Sequence, residues 1–470
     1  MTSRIAHPSL EERRARGLEA RAQAAITSHE GWTPASDRPD PVGLLEAQNV
    51  TREPDLVPVR HGRMMVSPFT FYRGAAKIMA TDLKDTPTAG LTVQLCGDAH
   101  LSNFGGFASP ERRLLFDLND FDETFPGPFE WDVKRMAASF MVAARNNGFG
   151  KSDARAVTRA SVAAYRQAMA SFAQMRTMDI WYSHLGEEDI LAVARSAVKD
   201  KKTDKAFKRA EKNLSRARTH DSLQALSKLA EYVDGQYRLV SQPPIVVPLR
   251  DVLQTFGVSP DGMDQLVHDL FRSYRATLQP DRRHLLEQFQ IVEAARKVVG
   301  VGSVGTRAFI LLLQGRDQSD PLFLQVKEAT ASVLEEHLPK GHHQQPGERV
   351  VNGQRMMQAA SDIFLGWTKG VQAGRHFYVR QLRDMKASAL VEEMVPAGMI
   401  VYAGLCGWTL ARAHARSGDP VAIAEYLGET DAFDKAITDF SARYADQNER
   451  DFQEFSKAVE SRRLEAVQGV

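Results

Sequence analysis

The sequence has few cysteines, almost no net charge and no long apolar run. Only Cys96 and Cys406 occur in its 470 residues, which excludes a framework of several disulfides and favours a reducing, cytoplasmic location. The formal net charge of +1 provides no general attraction to nucleic acid or anionic lipid. The apolar run at 310–313 is far too short to span a bilayer. We therefore expect a soluble cytoplasmic protein without nucleic-acid or membrane partners.

The charged segments also lack targeting and binding signals. The N-terminal stretch contains Glu11, Glu12 and Arg13 instead of the apolar core of a signal peptide, so we expect no secretion signal. In the basic stretch 199–218 the cations alternate with acidic residues such as Asp204. This alternation indicates a solvent-exposed helix face, which we favour over a nucleic-acid patch.

Four acidic or amide side chains follow short predicted strands in the first third of the chain. Residues 95–104 read L-C-G-D-A-H-L-S-N-F, and residues 116–123 read F-D-L-N-D-F-D-E. Phosphoryl transfer needs a carboxylate that orients the attacking hydroxyl and oxygen ligands for Mg²⁺. We predict that Asp98 is the catalytic carboxylate and that Asn103, Asp120 and Asp122 are the magnesium ligands. Each could instead be an ordinary turn or cap residue, but their order after apolar strands favours the catalytic interpretation.

Two further residues near these motifs have predicted supporting roles. Asp132, in W-D-V-K-R-M-A, resembles the structural aspartate that opens the next helix in aminoglycoside-type phosphotransferases, which implies that it braces the catalytic loop through hydrogen bonds. His100 lies within the loop and could either belong to the site or support the loop backbone.

A glycine pattern lies far along the chain, in V-V-G-V-G-S-V-G-T-R. A dinucleotide-binding fold uses the same spacing but needs a helix directly after the glycines. Here a β-rich apolar run, a polar turn and a second strand ending at Lys327 follow, which predicts a β-hairpin of the kinase type. The predicted ATP-binding residues are Gly300, Gly302, Ser303, Gly305 and Lys327 of this hairpin, together with Gln381 on a hinge strand at 378–382.

Other charged residues are candidates for supporting roles in the same site. Kinases hold the hairpin lysine with a glutamate on the following helix, and four residues could serve here: Glu328, Glu335, Glu336 and Glu348. A cleft for an anionic substrate could also use nearby cations, namely Arg73, Arg380, Arg383 and Lys386.

The order of the two halves is reversed relative to kinases, whose glycine loop comes first. A segment spelled L-A-R-A-H at 410–414 resembles the helix that precedes the catalytic loop in aminoglycoside-type kinases. Reading from Gly300 through the hinge to His414, and then on to Asp98, restores the kinase order. The sequence therefore predicts a circular permutation of the two lobes, which surface termini that lie close together make tolerable.

Several motifs carry a resemblance to a known family. The segments G-D-A-H-L-S-N-F-G, N-D-F-D-E-T, Q-R-M-M-Q-A-A-S-D and Y-V-R-Q-L-R-D-M-K resemble the bacterial domain of unknown function 2252 family, from about residue 69 to residue 452. That family is similar to the protein-kinase-like superfamily. The resemblance implies an α+β, two-lobed fold with permuted lobes and large helical content. It also implies ATP and Mg²⁺ as cofactors and a hydroxyl-bearing small molecule as substrate.

On this basis the chain divides into four predicted parts. These are an N-terminal arm or linker (1–60), a catalytic region with a helical insertion (61–290), a nucleotide-binding β-region (291–390) and C-terminal helices that complete the catalytic lobe (391–470). Two alternative functions stay open: a pseudokinase that binds nucleotide as a regulatory ligand, and a metallophosphoesterase suggested by the D-x-H of Asp98 and His100. The sequence does not indicate the oligomeric state or the identity of the acceptor.

Overall fold

The structure is a computed structural model, and it describes residues 7–198, 200–217, 222–251, 260–370, 374–382 and 385–469. It has the mixed helix and sheet content of an α+β protein, with antiparallel sheets. The elements up to residue 196 are α1 (Leu10–Gln23), α2 (Pro41–Asn49), α3 (Val57–Met64), α4 (Pro68–Gly74), α5 (Ala76–Leu83), β1 (Thr92–Leu95), β2 (Phe104–Ala108), β3 (Leu114–Leu118), β4 (Phe125–Pro128), α6 (Phe129–Asn146), α7 (Lys151–Phe172), α8 (Thr177–Tyr182), β5 (Leu185–Gly186) and α9 (Glu187–Ser196).

The second part of the chain continues with longer strands and three C-terminal helices. Its elements are α10 (Lys201–Ala217), α11 (Ser222–Leu229), β6 (Ala230–Val233), β7 (Gln236–Leu239), β8 (Val246–Pro248), α12 (Pro260–Arg275), α13 (Pro280–Leu286), β9 (Gln290–Lys297), β10 (Ala308–Gln314), β11 (Pro321–Ala329), α14 (Pro346–Met357), β12 (Gly366–Lys369), β13 (His376–Gln381), β14 (Ala387–Ser388), α15 (Pro396–Ser417), α16 (Pro420–Leu427) and α17 (Ala432–Glu460). Within the described ranges, no helix combines the length and the apolarity that a membrane-spanning segment needs.

The largest sheet has six antiparallel strands in the order β12-β13-β11-β10-β9-β8. Its two faces are both covered, because Ile310 and Leu312 pack into one apolar cluster while Leu311 and Leu313 pack into another. Successive residues of a strand point to opposite faces. A sheet that is buried on both sides therefore explains the uninterrupted apolar run of β10.

The main core is formed by helices packed around the predicted catalytic loop. Helix α6 is buried along residues 129–144, and it packs with α7, α15 and α17. Its enclosed residues include charged ones such as Asp132 and Arg135, which therefore need partners within the protein. Strands β1 and β4 form a two-stranded sheet beside this core, and β14, β2, β3 and β5 form a four-stranded one.

The segment predicted to be an N-terminal arm or linker is packed onto the body of the protein. Helix α1 lies against α16. The guanidinium of Arg38 bridges the carboxylates of Asp82 and Asp451 at 2.6 and 2.7 Å. The backbone N–H of Glu53 donates to the carbonyl of Gly305 at 2.7 Å. Contacts between residues so distant in sequence leave no local pattern. The Pro- and Asp-rich composition of the segment therefore indicated a linker, although the segment is packed.

Two secondary-structure predictions are wrong. The sequence F-T-F-Y-R-G-A-A-K-I-M-A-T-D-L at 69–83 predicts a short strand that leads into a helix, but these residues form α4 and α5. Helix α4 begins with a capping box in which the hydroxyls of Ser67 and Thr70 satisfy each other's backbone N–H groups, and this signal outweighs the β-favouring aromatic residues. The sequence also predicts a helix over 350–365, but the observed helix α14 begins at Pro346 and ends at Met357. The sequence also predicts strands from its apolar runs at 91–96, 114–118 and 377–382, and these are confirmed as β1, β3 and β13, within one residue at each end.

Candidate functional site

The loop between β1 and β2 is held in place by Asp132 at the start of α6. Its carboxylate accepts the backbone N–H of Cys96 at 2.7 Å and that of Gly97 at 3.0 Å. The Nε2 of the fully buried His414 lies 3.3 Å from the same carboxylate. These bonds confirm that Asp132 braces the loop. They also bring helix α15, which carries the L-A-R-A-H segment, against the loop that contains Asp98.

Gly97 is required by the shape of this turn. Its φ is +84°, and a Cβ atom added there would lie 2.2 Å from the carbonyl oxygen of Glu123. We expect Gly97→Ala to lower the free energy of unfolding by roughly 3 kcal/mol or more, since backbone strain of about 1–3 kcal/mol adds to a clash with backbone. Gly90→Ala is the matched control, with a φ of +68° and no atom within 4 Å of the added carbon.

The measurement for this pair is the urea-induced unfolding of both variants beside the parent. Gly90→Ala is expected to lose only about 1–2 kcal/mol, the cost of a left-handed backbone with a side chain. Equal losses in the two variants would contradict the close approach of Gly97 to Glu123.

Asp98 lies at the surface of a cavity and is held by a buried arginine. The Nε of Arg135 donates to its Oδ1 at 2.8 Å, and the Nε2 of His100 lies 3.8 Å from Oδ2. Burial raises the pKa of Asp98, and the positive charge of Arg135 opposes that rise. The side-chain Nδ2 of Asn103 donates to the backbone carbonyl of Asp98 at 2.7 Å. A carbonyl can only accept, so the Oδ1 of Asn103 is the atom that remains for a cation.

Residues from both halves of the chain meet at Asp122. Its carboxylate accepts hydrogen bonds from the ammonium of Lys327 at 2.6 Å, the hydroxyl of Tyr378 at 2.6 Å and the hydroxyl of Ser303 at 3.2 Å. Asp120 lies beside this cluster, with its Oδ2 3.7 Å from the same ammonium. Residues of the glycine loop and the hairpin therefore contact the N-D-F-D segment directly.

The charges in this cluster shift each other's protonation. Burial works against the ionised form of Asp122, but the Lys327 charge and the hydrogen bonds from Lys327 and Tyr378 outweigh it and lower the pKa. Burial and the negative charge of Asp122 raise the pKa of Asp120. Burial alone would lower the pKa of Lys327, and the two aspartates raise it instead. The two aspartates thus favour the charged form of Lys327.

Two adjoining cavities open on these residues. The smaller, of about 450 Å³, is lined by Asp98, Asp122 and Gly302. The larger, of about 590 Å³, is lined by Asn103, Lys327 and residues of the glycine loop and hinge, namely Gly300, Ser303 and Gln381. Arg73, Asp120 and Ser303 line both. Of the predicted ATP-binding residues, Gly305 lines neither cavity, and Arg52 packs against it. The predicted cation Arg383 falls outside the described residues.

A comparison with protein families now gives a match. The model of a family described as an uncharacterized protein conserved in bacteria, DUF2252, matches residues 52–458, which is most of the chain. The protein belongs to the DUF2252 family. No curated protein and no solved structure matches it.

The two cavities of this DUF2252 protein differ in the charge of their walls. The smaller cavity carries more acidic than basic side chains, with Glu123, Glu335 and Glu336 in addition to the three aspartates. Burial raises the pKa of Glu123 to about 7, although the backbone N–H of Val333 bonds to its carboxylate. The larger cavity carries more cations than acids; its cations are Arg73, Arg112, Lys297, Lys327, Arg380 and Lys386.

The lysine of the DUF2252 hairpin does not pair with any of the four candidate glutamates. Each of them bonds elsewhere: Glu328 to Arg375, Glu335 to the N–H of Ser332, Glu336 to Lys77, and Glu348 lies near His343. The residue of helix α14 that reaches the motif is Arg349, which donates to the carbonyls of Asp122 and Thr330 at 2.9 Å each. The carboxylate that holds Lys327 is instead that of Asp122, in the first third of the chain.

A chain of buried amides ends at the larger cavity. Gln358 donates its side-chain N–H to the carbonyl of Leu118 at 2.6 Å, so its oxygen faces Gln354, which donates to it at 2.9 Å. The Oε1 of Gln354 is enclosed and has no partner among the described residues. Because a carbonyl fixes the orientation of both amides, Gln354 can only present an acceptor at this wall.

Three contributors to the site were missed in the sequence. Arg135 could have been found, since it lies one helical turn after Asp132 and so on the same face of α6. Arg349 and Tyr378 had no such signal, because each reaches Asp122 or its backbone across more than two hundred residues. Among the residues that the structure describes, no three His, Cys, Asp or Glu side chains converge as a self-sufficient metal site.

Proposed function

We propose that this DUF2252 protein is an ATP- and Mg²⁺-dependent phosphotransferase, with kinase-like lobes in permuted order, that acts on a hydroxyl group of a small molecule. The observation that carries the proposal is the contact between the two motifs. Lys327 and Ser303 from one half bond to Asp122 from the other, and Asp120 and Ser303 line both cavities.

The arrangement of the β-region supports the nucleotide assignment. The glycine loop connects the antiparallel strands β9 and β10, Lys327 lies on the next strand, and helix α14 follows. Kinases use this sequence of elements to cover and bind the phosphates. The larger cavity would hold the nucleotide, with Lys327 on its phosphates and the hinge residue Gln381 at its wall. The surplus of cations around it suits a polyphosphate.

The residues present also fit a magnesium ion. Mg²⁺ is usually held by one or two carboxylates together with substrate phosphates, so a complete protein cage is not needed. Asp120 and the free Oδ1 of Asn103 would hold it at the wall of the larger cavity. Asp122, which we also predicted as a ligand, already accepts three hydrogen bonds from protein donors. When bound, the ion would neutralise charge on the phosphates.

Asp98 is placed for the acceptor side of the reaction. It lines the smaller cavity, where the acceptor would bind, and Arg135 holds its carboxylate in position. Its role would be to orient the acceptor hydroxyl and take up its proton. His100, on which the metallophosphoesterase alternative depends, accepts the backbone N–H of Ser102 through Nδ1 at 3.2 Å. That bond favours a loop-supporting role for His100.

The test is calorimetric binding of MgATP to the parent and to Lys327→Met. We expect about tenfold to hundredfold weaker binding in the variant, since a hydrogen bond to a charged group is worth roughly 1.5–3 kcal/mol. Lys369→Met, on the same sheet but exposed, is the matched control and should bind like the parent.

Two results would reject the proposal in different ways. A parent that does not bind MgATP, or a Lys327→Met variant that binds it equally well, would remove the nucleotide assignment. Binding without any ADP formation across a panel of hydroxyl metabolites and water would instead favour the regulatory nucleotide-binding module.

A further inference from the structure

One cation stands at the boundary of the two cavities. Of the basic residues that line either cavity in the described part of the chain, only Arg73 lines both. It shares this position with Asp120 and Ser303, which come from the two motifs. Arg73 itself belongs to neither motif, because it lies in the last turn of helix α4.

The backbone of Arg73 lies against the tip of the glycine loop. A Cβ atom added to Gly302 would be 3.2 Å from the carbonyl oxygen of Arg73, closer than a side chain normally packs. The helix that carries Arg73 begins at the capping box of Ser67 and Thr70. Both ends of this short helix are therefore fixed, and the glycine loop rests on its last turn.

The guanidinium of Arg73 has no hydrogen bond or ion pair with any described residue, and its Nε is enclosed without a partner. Its neighbour in the site, Arg135, differs in this respect, because it donates to the Asp98 carboxylate and to the carbonyl of Tyr72. Burial lowers the pKa of Arg73, against the opposing charges of Glu392 and Asp98. A guanidinium whose Nε is enclosed and whose donors are unused by the described residues is costly unless a ligand supplies acceptors.

We propose that Arg73 binds the phosphoryl group that passes between the two cavities and stabilises its charge in the transition state. The inference rests on the proposed phosphotransferase function. In that reaction the acceptor oxygen forms a bond to the γ-phosphorus, and the bond from phosphorus to the β–γ bridging oxygen breaks, with its electron pair leaving on ADP. The acceptor proton goes to Asp98. In other phosphoryl-transfer enzymes, an arginine that contacts the transferred phosphoryl group raises kcat by about 10³–10⁵-fold.

The experiment measures binding of MgADP to the full chain, with and without aluminium fluoride, which mimics the phosphoryl group in transit. For the parent we expect binding with the fluoride to be at least about tenfold tighter than binding of MgADP alone. Arg73→Met should lose most of this gain and leave binding of MgADP within about threefold, because the charged contact is removed only from the mimic. Arg73→Lys should retain part of it.

Arg416→Met is the matched control. Arg416 also has enclosed Nε and Nη1 atoms without partners, but it lies outside both cavities, against the ring of Trp181. Arg416→Met should keep the full increase in MgADP affinity that aluminium fluoride produces in the parent. Added guanidinium ion should restore tight binding of the mimic to Arg73→Met and have no effect on the control.

The outcomes separate this inference from the proposed function. If the parent does not bind MgADP at all, both fall. If it binds and Arg73→Met keeps the fluoride-dependent gain, only the role of Arg73 is rejected. If Arg73→Met weakens MgADP and the mimic equally, Arg73 binds the ground state, and the transition-state role is likewise rejected.

Discussion

Asp98→Asn is expected to lower the rate of ADP formation by about 10²–10⁴, while the dissociation constant of MgATP changes by no more than about threefold. Asparagine keeps the size of the side chain and can still accept the hydrogen bond from Arg135, but it cannot take up a proton. Arg135 also keeps its bond to the carbonyl of Tyr72 and its position over that ring, 3.9 Å from the centroid. The site should therefore stay folded and lose only its proton acceptor.

The measurement is ADP release with the best acceptor of a hydroxyl-metabolite panel, or with water if none is used. Asp85→Asn, an exposed aspartate paired with its neighbour Lys84, is the control and should match the parent. Thermal unfolding of both variants shows whether the fold is intact. Turnover by Asp98→Asn within about threefold of the parent would remove Asp98 from the reaction.

Residues with local signals could be predicted from the sequence. Strand β3 and the hairpin of β10 and β11 follow from short apolar runs bounded by turns, and the hairpin places Lys327 at the end of its second strand. The tight turn before Asp98 could be expected from Gly97, because glycine readily adopts the positive φ that this turn has. These features depend on a few neighbouring residues, so their pattern can be read from the chain.

The pairing of charges could not be predicted in the same way. The carboxylate that holds Lys327 belongs to Asp122, 205 residues away along the chain, and four nearer glutamates had equal standing. The packing of the N-terminal segment could not be predicted for the same reason, because it depends on contacts of Arg38 with the distant residues Asp82 and Asp451. Charge attraction depends on distance in space, which only the complete fold determines.

We expect a large loss of stability when a buried ion pair behind the candidate site is broken. Arg412 on helix α15 donates to Asp117 on strand β3 and to the carbonyl of Met357, and both side chains of the pair are almost fully enclosed. Asp117 also accepts the N–H of Ala359 at 2.8 Å. The pair thus joins helix α15, strand β3 and the end of helix α14. Asp117 lies two residues before the start of the loop that carries Asp120.

Arg412→Met is expected to lower the free energy of unfolding by about 3–5 kcal/mol, because it leaves the Asp117 carboxylate buried without a counter-charge. Urea unfolding followed by fluorescence measures the loss. Arg159→Met removes an arginine from an exposed pair with Asp431 and should cost no more than about 1 kcal/mol. In the double variant Asp117→Asn, Arg412→Met the buried charge is gone, so its loss should be at least about 1 kcal/mol smaller than the sum of the two single losses. Additive losses would show that the two side chains act independently, and the pair would then not be what holds β3 and Asp120 in place.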